Sequence, residues 1–130
     1  MQHIRTLAMM IFALGCASPV APDANGQWGS NQAALTLTRA GGNLTMQCGS
    51  AKIDSTWTLT SSGEFNGTGA TYGGGGPDPI GGRPPNPARF VGHISGSTFT
   101  LAITVLSSSG SAIGPFFMKR NGPRISQVCL

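Results

Sequence analysis

Charged side chains are scarce in this chain of 130 residues, at 9% of the total. Only four are acidic: Asp23, Asp54, Glu64 and Asp78. Glycoside hydrolysis needs two carboxylates flanking one bond, and solvated turn positions account more simply for Asp54 and Glu64. Histidine is scarcer still, with His93 the single one past the N-terminal leader. One histidine excludes a His-rich metal site and leaves any Ser-His-Asp triad a single base. His93 shares strand parity with Arg89 and Val91, opposite Phe90, Gly92 and Ile94, which predicts a solvent-facing or barrel-lining side chain. The cysteines, Cys16, Cys48 and Cys129, lack zinc spacing. There is no Gly-x-Ser-x-Gly nucleophile elbow and no Gly-x-x-x-x-Gly-Lys phosphate loop. These absences predict a protein that is not an enzyme, with no catalytic residue, no metal and no other cofactor.

The basic residues past the leader are Arg39, Lys52, Arg83, Arg89, Lys119, Arg120 and Arg124. They are scattered, and only Lys119-Arg120 with Arg124 forms a local group. Nucleic-acid binding needs a dense basic stripe or interleaved aromatics, so nucleic acid is not an expected partner. The group reads as a solvated strand edge that blunts edge pairing.

Long apolar runs are also missing. The longest, Leu7 to Leu14, is too short to span a bilayer. It follows Arg5 and leads into Ala13-Leu14-Gly15-Cys16, which predicts a cleaved export signal over 1–16. Small residues before a cysteine resemble a bacterial lipoprotein signal, in which cleavage precedes the cysteine and the thiol carries the lipid. That reading makes Cys16 the lipidation site and a membrane, reached through the lipid anchor, a partner. It gives a periplasmic or outer-surface location. An ordinary signal cut after Ala17, and a secreted soluble protein, is the other reading. Cysteine arithmetic leans to the first: Cys48 and Cys129 can pair in an oxidising compartment, which leaves Cys16 odd.

Residues 17–25 lack periodicity and read as a tether, so the predicted domain covers 26–130. Within it apolar residues alternate with polar ones. Leu35 and Leu37 alternate with threonines; Leu44, Met46 and Cys48 form one parity; so do Ile53, Trp57 and Leu59, and again Phe99, Leu101, Ile103 and Val105. A period of two marks strands with one buried face. Helical spacing is absent. Turn pairs recur between these runs: Gly41-Gly42, Gly49-Ser50, Ser62-Gly63, Ser95-Gly96, Ser109-Gly110 and Asn121-Gly122. Short strands joined by tight hairpins predict an all-β fold, a small antiparallel up-and-down β-barrel of about eight strands. A β-sandwich is the alternative. A Cys48–Cys129 disulfide would close it and add about 4 kcal/mol in the chain-entropy model.

Residues 73–87 break this rhythm with clustered glycine and proline. They predict a long exposed loop, either a tolerated insert or a recognition arm working through Tyr72, Ile80 and Arg83.

Gly26-Gln27-Trp28, opening the first strand, resembles the Gly-x-Trp signature of lipocalins and is similar to the start of avidin-like barrels. The resemblance implies a lipocalin-like barrel whose tryptophan closes one end, with a basic residue near the C-terminus, Arg124, packed across it. An early cysteine bonded to one near the C-terminus also occurs in lipocalins. The chain also resembles small exported bacterial proteins of unassigned function, through Gly26 to Gly29, Cys48, Gly75-Gly76-Pro77, Ala88-Arg89-Phe90 and Cys129-Leu130. Asn66-Gly67-Thr68-Gly69-Ala70-Thr71-Tyr72 is similar to a motif of periplasmic inhibitors of C-type lysozyme, which implies that Thr68 faces a lysozyme cleft. Phe116-Phe117-Met118-Lys119 is similar to their second motif.

Two functions of different classes follow. The first is binding of a small apolar ligand inside the barrel, by Trp28, Trp57, Phe65, Phe99 and Tyr72. In such a small barrel, Met46, Trp57, Phe65 and Phe99 could equally fill the interior. The second is interaction with an envelope protein through Thr68, Arg83 and Lys119. A monomer is expected in either case.

Overall fold

The structure is a computed structural model that describes residues 22–73, 84–107 and 110–123. Its strands are β1 (Gly26–Gly29), β2 (Ala33–Thr38), β3 (Gly41–Met46), β4 (Gly49–Ile53), β5 (Thr58–Leu59), β6 (Glu64–Gly73), β7 (Asn86–Ser95), β8 (Thr98–Val105) and β9 (Ala112–Arg120). Each pairs antiparallel with its sequence neighbour, except that β4 passes over β5 to pair with β6. Pairing of β9 with β1 shuts the ring. The result is a closed eight-stranded up-and-down barrel, not a sandwich. β5 stands outside the ring, held to β6 by Thr58↔Asn66 and Leu59↔Phe65.

Alternation dictates this shape. Along β8, Phe99, Leu101, Ile103 and Val105 are buried while Ala102 and Thr104 face solvent. β7 buries Ala88, Phe90 and Ile94 and exposes Arg89, Val91 and His93. Threonine and β-branched residues suit the pleated wall, and closure by the β1–β9 pairing covers most of the sheet's edge. Asn121 takes φ 53° at the turn after β9, and Gly96 takes φ 59° between β7 and β8. Both conformations favour the residue types found there.

Three local readings need correction. Ile53, Trp57 and Leu59 do not share one strand: β4 ends at Ile53, residues 54–57 cross the barrel end, and Trp57 is buried before β5 begins. Cys48 does not face inward along β3. With Gln47 it forms the exposed β3–β4 turn. Arg120 is not a solvated edge residue, because the barrel has no edge there and its guanidinium packs on the closed end. The folded part reaches back into the tether: Ala24 is fully buried.

The strand run of Asn66-Gly67-Thr68-Gly69 has a packing cause. β6 changes partner here, from β5 at Asn66 to β4 at Gly69. A Cβ at Gly69 would sit 1.9 Å from the Lys52 carbonyl oxygen, so only glycine allows the two backbones to cross so closely.

Candidate functional site

The two barrel ends differ. One is plugged. Trp28 lies inside it, 2% exposed, and donates its indole N–H to the Ala24 carbonyl at 2.9 Å. Phe99 meets Trp28 edge-on with centroids 5.2 Å apart, Phe65 meets Phe99 at 5.2 Å, and Trp57 stacks on Phe65 at 5.6 Å. Trp57 donates to the Thr38 carbonyl at 2.8 Å. Each indole thus has its polar atom satisfied while its ring fills the core. Arg120 covers the Trp28 ring at 4.2 Å, and Arg39 covers Trp57 at 4.8 Å. Arg120 also donates to the backbone carbonyls of Asn25, at 2.8 Å, and Asp23. Hydrogen bonds from the Asn25 backbone and side chain hold the exposed Asp23 carboxyl below the ordinary aspartate range, helped by Arg120.

The basic residue that crosses the Trp28 end is therefore Arg120. Arg124, to which the lipocalin resemblance gave that part, lies outside the described residues. The sequence hides this choice, because three basic residues fall within six positions. Only the register Trp28↔Arg120 selects among them.

The other end is a mouth. The β3–β4 turn, the start of β7 and the β8–β9 connection surround it. A hollow of about 310 Å³ opens there, lined by Met46, Thr71, Tyr72, Asn86, Val105 and Ile113 among others. Beside it runs a groove of about 550 Å³, which shares Met46, Cys48 and Ile113 and continues along Pro115 and Phe116. Two features build the groove. β1 is short and reaches β9 only at Trp28↔Arg120 and Gly29↔Lys119, so the first half of β9 has no paired strand on that side among the described residues. The β8–β9 register also shifts between Leu101 and Ile103, where Gly114 and Pro115 stand opposite the single residue Ala102 and form a bulge. Among the described residues no charged side chain lines either space.

The residues singled out in the sequence fall into separate places. Trp28, Trp57, Phe65 and Phe99 come together as the plug and pack on one another. Tyr72 is not with them but half-buried at the mouth. Thr68 is on the outer wall, its hydroxyl donating to Asp54 at 3.3 Å, in a shallow polar hollow of about 200 Å³ with Asn66 and Arg89. Lys119 is on β9, two strands beyond β7 in the ring, so Thr68 and Lys119 do not form one patch. Cys16, Ile80, Arg83 and Cys129 lie outside the described residues, as does most of the 73–87 loop. His93 is on the outer wall with its Nδ1 3.1 Å from Glu64. Sequence reasoning missed Val105, Ile113 and Thr71 as mouth residues. Val105 carried the alternation signal, but alternation reports which face a residue takes and not which end of the barrel.

Comparison of the chain with protein families, curated proteins and solved structures found no match.

Proposed function

We propose that this is an exported, non-catalytic binding barrel, lipid-anchored through Cys16, that holds a small uncharged apolar ligand in its mouth. The observation that carries this reading is the contrast between the two ends. Eight strands enclose room for either packed side chains or one small ligand; here Phe90, Leu101, Ile103 and Met118 continue the packed core beyond the aromatic plug, and a hollow is left at the mouth. The mouth offers Met46, Val105 and Ile113 as apolar walls with a few polar groups at the rim, the usual make-up of a ligand site. An engineered apolar cavity of about 150 Å³ suffices for benzene. The non-catalytic part draws on His93 and Glu64, which pair with each other in solvent on the convex wall. The lipocalin-like relationship draws support from Trp28 and Arg120 at the plugged end.

A Cys48–Cys129 disulfide belongs to the same proposal. Cys48 borders both spaces of the mouth, so the bond would tie the C-terminus to the rim of the site. Thiol counting on unreduced protein lacking Cys16 should find no reactive thiol; two would refute the bond. A protein-interaction role through Thr68, Arg83 and Lys119 has less support, since Thr68 and Lys119 stand on separate walls.

Titration with toluene, followed by NMR, tests the ligand reading. Saturable shifts are expected in the native protein. Ile113→Trp and Met46→Trp, which fill the hollow, should each abolish them while leaving the folded spectrum intact. Saturable binding that survives in both folded variants would contradict a mouth site.

A further inference from the structure

Thr71 is out of keeping with its surroundings. It lies on the inward parity of β6 with Phe65, Gly67 and Gly69, and opposite Ala51 of β4. It is 5% exposed and the one buried polar side chain among the described residues. Among the described residues no hydrogen bond of its hydroxyl is found, and it is not one of the residues with a further interaction. No fully occluded side-chain oxygen among the described residues lacks a partner, so Thr71 Oγ1 opens onto the hollow that it lines. Valine has the same shape and would suit the apolar wall formed by Phe65 and Ala51 as well, since the hydroxyl gives that wall no hydrogen bond among the described residues. Folding alone gives no reason for the oxygen.

We infer that Thr71 is the specificity-determining residue of the mouth, reading one hydroxyl or carbonyl group on an otherwise apolar ligand. The inference rests on the ligand-binding reading above. A threonine hydroxyl donates once and accepts twice, so it serves either group. An uncharged ligand suits the hollow, because none of the described residues that line it carries a charge and an ion held there would lose water without a counter-charge among them. Met46, Val105 and Ile113 take the apolar body, and the polar head lies toward Thr71.

The test compares benzyl alcohol with toluene, two probes of similar shape that differ by one hydroxyl group. Dissociation constants are measured for both in the native protein, Thr71→Val and Thr71→Ser. The affinity ratio of benzyl alcohol to toluene should fall about fivefold to tenfold in Thr71→Val. Toluene affinity should hold within about twofold, and Thr71→Ser should keep the native ratio. The Tm of Thr71→Val should be unchanged or raised. An unchanged ratio in Thr71→Val, with toluene still binding, overturns the role of Thr71 and leaves the mouth site standing. A lowered Tm for Thr71→Val assigns the hydroxyl to the fold and overturns it too. If neither probe binds the native protein, the ligand-binding reading fails and this inference falls with it.

Discussion

Arg120 joins the last strand to the residues that precede the first. Its guanidinium lies over Trp28 and donates to two backbone carbonyls of the 23–25 segment. A cation over an indole contributes about 0.5–2 kcal/mol, and a charged hydrogen bond about 1.5–3 kcal/mol. Arg120→Ala should therefore cost about 2 kcal/mol in urea unfolding, and Arg120→Lys should recover only part, since an ammonium cannot fork to two carbonyls while lying flat on a ring. Equal stability of native protein and Arg120→Ala would show that the latch is ornamental. Asp23 adds little to this latch. Its folded pKa is depressed, so its contribution is present above the ordinary aspartate range and fades as pH falls through the folded value. Its exposure to solvent keeps that contribution small. The sequence made Trp28 legible through Gly-x-Trp, but its partner could not be read because Lys119, Arg120 and Arg124 are equivalent until the register is known.

Among the strands, β6 carries the greatest constraint, since it serves β4, β5 and β7 in turn. Gly69→Ala would place a Cβ against the Lys52 carbonyl and force the β4–β6 crossing apart, at a cost of at least about 3 kcal/mol. Gly73→Ala, in the same strand with no atom of the described residues within 4 Å of its added Cβ, should stay within about 0.5 kcal/mol. Comparable losses from the two would contradict the crossing as the reason for the glycine. Most strands were legible from parity, because buried residues alternate with more exposed ones along the wall. The 53–59 stretch was not, because Trp57 keeps inward parity with Ile53 by coincidence: its ring reaches the core from a crossing segment and not from a strand. Cys48 misled in the same way, since a turn of Gln47-Cys48 continues the alternation of β3 without any strand beneath it.

In the whole molecule, an eight-stranded ring has one interior, and its occupants decide what the protein can do. Parity alone could not divide that interior into a plug and a mouth, because position along the barrel axis depends on strand stagger, which no single strand reveals. The aromatics that composition marks as a ligand pocket, Trp28, Trp57, Phe65 and Phe99, instead satisfy one another at the plugged end. The polar outlier Thr71, one threonine among many in the sequence, becomes distinctive only when the sheet closes. The central claim is that ligand enters opposite the aromatic plug. Residue-resolved NMR during toluene titration tests it most directly. Saturable shifts are expected at the methyl groups of Met46, Val105 and Ile113, with the ring signals of Trp28, Phe65 and Phe99 unmoved. Shifts centred on those rings, with the mouth methyls silent, would contradict it.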